Sequence, residues 1–114
     1  MKIIKEKISI TELKDMAEKM FGNLVKGVVD VEKGIIAVDG ELHADEQALL
    51  LENSSKQENL WGINIYPDKK EEEDFIEFDS VINIRPAQQN RTRSCENPEI
   101  RKKILEIVNK LIER

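Results

Sequence analysis

The sequence predicts an α+β domain with an antiparallel sheet of four or five strands, built from two hairpins, and a short middle helix. Two amphipathic helical patterns bracket the chain, and we expect both helices to pack on one face of the sheet. Between them, apolar residues alternate with polar ones, as is typical of half-buried strands. A length of 114 residues predicts a single domain, residues 1–114, that is large enough to bury a core.

The first helix is predicted from Ile10 or Thr11 to Phe21. Ser9, with a glutamate three residues later, forms a capping box, and Gly22 suits the carboxyl-terminal cap. The apolar positions recur at helical spacing and predict a core-facing stripe. That stripe consists of Ile10, Leu13, Met16, Ala17, Met20 and Phe21.

The last helix is predicted to begin at Pro98, with Asn97 as its amino-terminal cap. Proline is favoured at the first helical position because its missing N–H has no partner there in any case. A second apolar stripe follows and consists of Ile100, Ile104, Ile107, Val108, Leu111 and Ile112.

The first hairpin is predicted from residues 24–31 and 35–39, which are rich in β-branched side chains and are separated by a loop that contains Gly34. A fifth strand is predicted at residues 2–7, where the charges permit only an edge position. Residues 45–52 predict the middle helix, which we expect to cover an edge or an end of the sheet, although a strand also fits them.

The second hairpin is predicted from residues 60–66 and 75–85. Pairing Ile65 with Ile76 places Asn64 opposite Glu77 and puts the apolar side chains on one face. In the second of these strands, Ile76, Phe78, Ile82 and Ile84 alternate with Glu77, Asp79, Asn83 and Arg85. The alternation predicts that the second set faces water.

Ligand-binding candidates follow from this polar face and from the loop after it. Carboxylates, amides and guanidinium groups alternate along the strand, and the loop adds donors that bind phosphate or carboxylate. The candidates are Asn64, Glu77, Asp79, Asn83, Arg85, Asn90, Arg91 and Arg93. An antiparallel sheet with helices on one side also needs a hydrated opposite face, so a purely structural role fits the same residues.

Metal-ligand candidates surround the only histidine. Glu41, His43 and Asp45, here called the His43 triplet, occupy alternate positions. In an extended segment they would share one side and could bind a divalent ion or hold a general base. Asp45 as the cap of the middle helix is the structural alternative. The sequence identifies no catalytic residue and predicts no cofactor, while a divalent metal at the His43 triplet stays open.

Composition predicts a cytoplasmic protein. The chain has 36% charged residues, a mean hydropathy of −0.50 and a net charge of −5, and it contains no apolar run long enough to predict a membrane segment. The charged amino terminus lacks the features of a signal peptide, and a lone cysteine, Cys95, agrees with a reducing compartment. Scarce aromatic residues argue against a nucleic-acid partner without excluding it.

Four runs of the chain carry a resemblance to a known family: residues 29–34, 40–46, 60–67 and the segment from Phe75 to Pro86. They resemble a small, uncharacterised prokaryotic family, domain of unknown function 5674. The resemblance spans nearly the whole chain and implies a stand-alone archaeal or bacterial protein. It implies no activity, cofactor or catalytic residue.

Two functions fit these patterns. One is a noncatalytic binding or regulatory module for an anionic partner, a small molecule or a protein, which uses the polar strand face and the Arg85–Arg93 loop. The other is a divalent-metal-dependent hydrolase of phosphate esters or RNA, with the His43 triplet or Glu77 and Asp79 as ligands and Arg85 or Arg91 on the phosphate. Catalysis requires acids and arginines to meet in one cleft. Self-association through the polar face or an edge strand would instead make the protein a homo-oligomer.

Overall fold

The computed structural model describes residues 1–114 and is α+β, with a five-stranded antiparallel sheet and three α-helices. The strands are β1 (Lys2–Ile4), β2 (Ile8–Ser9), β3 (Val25–Asp30), β4 (Ile35–Val38), β5 (Leu60–Ile65), β6 (Ile76–Glu77) and β7 (Ile112–Glu113). The helices are α1 (Ile10–Lys19), α2 (His43–Glu52) and α3 (Pro98–Leu111). The fold class and the antiparallel sheet are those that the sequence predicts.

The sheet has the strand order β1-β4-β3-β5-β6, so β3 lies at its centre. β3 pairs with β4 on one side and along its whole length with β5 on the other. Between β3 and β4, Asp30 Oδ1 accepts hydrogen bonds from the backbone N–H groups of Glu32 and Lys33, both at 2.9 Å. Gly34 then takes a left-handed φ of 69°, which glycine adopts without strain.

Both faces of the sheet are covered. α1 and α3 share the larger core with one face, which includes Val29, Ile36 and Ile63. A smaller core, made of Val28, Ala37, Leu50 and Leu60, joins α2 to the opposite face. The expectation that the middle helix covers an edge or an end is therefore wrong. The sequence already indicated that both faces are covered, because a strand that is apolar at consecutive positions is typical of a sheet buried on both sides.

Helix α1 begins where the capping box predicts, with Ser9 Oγ accepting a hydrogen bond from the N–H of Glu12 at 3.1 Å. It ends at Lys19, before the predicted end, and the chain then turns through Gly22, whose φ is 91°. Met20 and Phe21 are consequently exposed, and their predicted place in the core stripe is wrong.

Helix α3 begins at Pro98, with Asn97 Oδ1 accepting hydrogen bonds from two first-turn N–H groups. Strand β7, which follows α3, pairs in parallel with β2 through Ile8 and Ile112. None of the helices combines the length and the apolar character that crossing a membrane requires.

The strand predicted over residues 75–85 is correct only at its start. β6 pairs Ile76 with Ile65 and Glu77 with Asn64 in the predicted register. The chain then leaves the extended path, because residues 81–83 and 86–88 form 3-10 turns. Ile84 is 43% exposed and Asn83 is fully buried, so the predicted alternation of core and solvent side chains is wrong beyond Asp79.

Candidate functional site

Asn83 completes the sheet where β6 has ended. Its side-chain oxygen accepts the N–H of Gly62 at 2.8 Å, and its Nδ2 donates to the carbonyls of Gly62 at 3.0 Å and Arg93 at 2.9 Å. A Cβ built on Gly62 would lie 2.5 Å from Cβ of Ser80, so only glycine permits this approach. The polar atoms of Asn83 are therefore used inside the protein.

Asn90 holds the following loop in the same way. Its Nδ2 donates to the carbonyls of Asn83 and Ser94, both at 2.7 Å, and to that of Thr92 at 3.1 Å. Its Oδ1 accepts the N–H of Glu96 at 2.8 Å. Asn90 is buried, so this ligand candidate stabilises the loop through its hydrogen bonds.

Arg85 reaches across the loop to the residues before and within β5. Its guanidinium donates to the carbonyl of Leu60 at 2.6 Å and to that of Gln57, and its Cζ lies 4.2 Å from the centre of the Trp61 ring. Burial lowers the pKa of Arg85. The side chain thus packs under the loop instead of projecting from a polar strand face.

Asn64 and Glu77, opposite each other in the sheet, form a network with Tyr66. Asn64 Nδ2 donates to Glu77 Oε1 at 2.8 Å and to the carbonyl of Asp79 at 3.3 Å, and the Tyr66 hydroxyl donates to the same Glu77 oxygen at 2.9 Å. Burial, followed by the adjacent Glu77 carboxylate, raises the pKa of Tyr66 to about 12. The phenol therefore stays protonated and remains a donor at neutral pH.

One cleft brings cationic side chains to the amino terminus of α2, and we call it the His43 cleft. Its volume is about 220 Å³. It is lined by Lys26, Leu42, His43, Ala44, Ser80, Val81, Ile82 and Arg93. Among the sequence candidates only His43 and Arg93 line it, and the sequence argument missed Lys26 and Ser80.

His43 is fixed by one hydrogen bond in this cleft, from its Nε2 to the carbonyl of Ile63 at 2.8 Å. Because a carbonyl oxygen can only accept, the Nε2 atom must carry a proton. Burial lowers the pKa of His43, and the nearby charges of Lys26 and Arg93 act in the same direction. At neutral pH the imidazole is therefore uncharged, with Nδ1 free of a proton.

The amino terminus of α2 has no side-chain cap. Leu42 occupies the N-cap position, and its carbonyl accepts the N–H groups of Asp45 at 3.1 Å and Glu46 at 3.3 Å. No side chain bonds to the N–H groups of His43 and Ala44, which begin the helix. Such groups, together with the helix dipole, favour negative charge.

The His43 triplet does not form the extended cluster that the sequence predicts. His43 and Asp45 lie in the first turn of α2, and Asp45 is not the cap, since Leu42 takes that position. Nowhere in the protein do three or more His, Cys, Asp and Glu side chains come together to hold a metal ion.

The remaining arginines differ in their surroundings. Arg93 donates through Nε to Asp79 Oδ1 at 2.6 Å, and both side chains are about half exposed. Arg91 is also exposed, and its backbone N–H, with that of Thr92, binds the carboxylate of Glu96. Those N–H groups lower the pKa of Glu96.

The sequence profile of the family described as "Protein of unknown function (DUF5674)" matches residues 2–111 of this chain. The chain belongs to this family. No curated protein and no solved structure matches it. Since the family description assigns no activity, a functional argument rests on the geometry of the clefts and of the side chains that line them.

Proposed function

We propose that the protein is a noncatalytic binding module whose His43 cleft takes an anionic group of a small molecule or of a partner protein. The observation that carries the proposal is that Lys26 and Arg93 flank the uncapped start of α2 in a single cleft. Lys26 forms no ion pair and instead lies over the Phe21 ring at 4.8 Å. The unpaired ammonium of Lys26 and the free amides of the helix together favour an oxyanion.

Arg93 is available to such a ligand because its ion pair with Asp79 is exposed. Exposed ion pairs contribute about 0–1 kcal/mol, so a ligand can replace the Asp79 carboxylate at little cost. Ser80 also lines the cleft, but it is buried and its Oγ accepts the N–H of Ile82 at 3.3 Å. Three kinds of donor, namely ammonium, guanidinium and backbone N–H, then surround one anionic group.

The rim of the cleft defines the rest of the partner. Leu42 and Val81, which are 55% and 63% exposed, are large apolar side chains that line the cleft beside the cations. Exposed apolar groups next to a charged site favour a partner with an apolar part adjacent to its acid. An acidic group that carries a hydrophobic substituent, or an acidic peptide with a hydrophobic neighbour, meets both requirements.

We favour this function over a metal-dependent hydrolase because the acidic side chains of the His43 triplet do not converge. The cytoplasm is the place of action that we propose. The single cysteine supports it, since Cys95 is a free and buried thiol, and burial raises its pKa. A free thiol of this kind is typical of a reducing compartment.

The proposal is tested by titrating the ¹⁵N-labelled protein with inorganic phosphate at constant ionic strength. We expect saturable shifts of the His43 and Ala44 amide resonances. Lys26→Gln and Arg93→Gln should each weaken binding about tenfold, equivalent to ~1.4 kcal/mol. Arg91→Gln is the matched control, because Arg91 is an exposed arginine outside the cleft. An equal loss in Arg91→Gln would indicate nonspecific charge attraction and contradict the site.

A further inference from the structure

The imidazole of His43 presents an unused nitrogen to the His43 cleft. Its Nε2 is bonded to the carbonyl of Ile63 at 2.8 Å, and its Nδ1 has no hydrogen-bond partner in the protein. A Cβ built on Gly62 would lie 3.2 Å from Cδ2 of His43. The edge of the ring formed by Nε2 and Cδ2 therefore faces β5, and Nδ1, on the other side of the ring, faces away from that strand.

This nitrogen is open to solvent. The buried side-chain atoms that lack a hydrogen-bond partner all belong to residues other than His43. His43 itself is partly buried and lines the cleft. A ligand that enters the cleft can therefore reach Nδ1.

Nδ1 can only accept a hydrogen bond. The proton of the neutral ring is held on Nε2 by the Ile63 carbonyl. Burial lowers the pKa of His43 and so disfavours a second proton. The charges of Lys26 and Arg93 act in the same direction, and that of Asp79 acts against them. At neutral pH the ring thus offers a lone pair to the occupant of the cleft.

No other side chain in the cleft offers an open acceptor. Apart from His43, the lining consists of aliphatic side chains, the cations Lys26 and Arg93, and Ser80. Ser80 is buried, and its Oγ already accepts the N–H of Ile82 at 3.3 Å. The cleft therefore combines cations, which attract an oxyanion, with one lone pair, which repels any oxygen that carries no proton.

We propose that His43 makes the cleft selective for an oxyanion that keeps a hydroxyl of its own, namely hydrogen phosphate or an organic phosphoryl group with one P–OH, and that this hydroxyl donates to Nδ1. The charged oxygens of the same group are then left for Lys26 and Arg93. A fully deprotonated oxyanion such as sulfate satisfies the cations but places a bare oxygen against the lone pair. The volume of about 220 Å³ is below the usual range for metabolite pockets and suits a single group of this size. This inference rests on the function proposed for the cleft and specifies its ligand.

The selectivity is measured with pairs of anions of nearly the same shape, of which one carries a hydroxyl proton. Inorganic phosphate is compared with sulfate, and methylphosphonate with methanesulfonate, by titrating the ¹⁵N-labelled full chain at neutral pH and constant ionic strength. Sulfate is a full dianion, so charge alone would favour it over phosphate. We expect the protonated member of each pair to bind at least about tenfold more tightly. The relative affinities of phosphate and methylphosphonate distinguish a free phosphate from an organic phosphoryl ligand.

Two variants separate the lone pair from the charge. His43→Phe keeps a ring but removes Nδ1, and it should bring the ratio of phosphate to sulfate affinity close to one. Lys26→Gln removes a cation from the same cleft, so it should weaken the binding of both anions and keep the ratio. A folded His43→Phe that still prefers phosphate would overturn the inference.

His43 also reports on its own hydrogen bond, because it is the only histidine in the chain. We expect phosphate, but not sulfate, to shift the Nδ1 resonance of the parent upfield, as a hydrogen bond to this nitrogen requires. This measurement decides even where His43→Phe does not fold. Equal affinities for phosphate and sulfate, or an Nδ1 resonance that bound phosphate does not move, would overturn the selectivity but leave the anion site in place. If no anion binds, the function proposed for the cleft fails and this inference fails with it.

Discussion

Glu46 is a fully buried carboxyl group in α2 whose proton links stability to pH. Its Oε2 accepts the N–H of Gly40 at 2.8 Å, while its Oε1 has no partner. Burial raises its pKa from 4.5 to about 9. The unfolded chain releases this proton near pH 4.5 and the folded chain keeps it, so stability falls as pH rises between these two values. The slope is about 1.4 kcal/mol per pH unit.

We expect Glu46→Gln to remove that fall, because an amide does not titrate in this range. The variant should gain stability over the parent as pH rises from 5 to 8, as measured by urea unfolding at each pH. Glu18→Gln, at an exposed position of α1, is the control and should follow the parent curve. Parallel curves for the parent and Glu46→Gln would show that Glu46 is ionised in the folded protein.

Asn83 is a second single residue that stabilises the fold, through hydrogen bonds that no other residue type reproduces. Asn83→Ala would leave the N–H and C=O of Gly62 buried and unpaired. We expect a loss of roughly 2–4 kcal/mol in the free energy of unfolding, measured by chemical denaturation. Asn23→Ala, at an exposed loop position, should change it by less than about 0.5 kcal/mol. A small effect of Asn83→Ala would mean that water replaces the amide.

At the level of the element, α2 offers a test in which stability and binding change in opposite directions. Leu42→Asp would cap the free amides of α2, and the extended backbone of Leu42 suits a capping residue. We expect the midpoint of thermal unfolding to rise, since a cap contributes about 0.5–2 kcal/mol, and phosphate binding to the His43 cleft to weaken. Leu42→Ser should also stabilise but repel the anion less. If Leu42→Asp left the phosphate affinity unchanged, the amino terminus of α2 would not be part of the phosphate-binding site.

A second test at the level of secondary-structure elements concerns the close approach of β5 to residues 78–80. In Gly62→Ala the new methyl group would lie 2.5 Å from Cβ of Ser80, whereas in Gly27→Ala, on the opposite face, it meets its neighbours at 3.5 Å. We expect Gly62→Ala to destabilise by about 1–3 kcal/mol and Gly27→Ala by less. In a double-mutant cycle by urea unfolding, Ser80→Gly should offset part of the loss. If the losses of stability from Gly62→Ala and Ser80→Gly were additive, the new methyl group would not clash with Ser80.

The elements that sequence reasoning predicted well are those determined by local chemistry. Ser9 and Asn97 cap their helices through neighbouring N–H groups, and the pairing of Ile65 with Ile76 follows from apolar alternation. The strand prediction failed after Asp79 because the partner of Asn83 is the backbone of Gly62, which is distant in the sequence. Periodicity alone cannot detect a side chain that replaces a strand.

At the scale of the whole molecule, the binding candidates were harder to predict than the fold. The His43 cleft forms where α2, the centre of the sheet and the loop after β6 meet, so its lining comes from distant parts of the chain. Lys26 is a charged residue beside Val25, Val28 and Val29 in β3, and that was the one signal in the sequence that pointed to it. The other candidates depended on a strand with alternating, solvent-facing polar residues. That pattern is absent from the fold because the loop lies under the sheet edge, where Asn83 and Asn90 are buried.

The architecture also predicts where the molecule is most stable. β3 is paired on both edges and covered on both faces, whereas β1 and β6 lie at the sheet edges. Amides at the centre of such a sheet exchange with solvent only when the whole protein unfolds, whereas edge amides exchange through local opening. We expect the amides of Val28 and Val29 to have opening free energies equal to the global free energy of unfolding, and that of Ile76 to lie below it. Native-state hydrogen exchange in low denaturant measures both. If exchange at Val28 and Val29 were as fast as at Ile76, the two cores would open independently, and the sheet would not be the shared element that joins them.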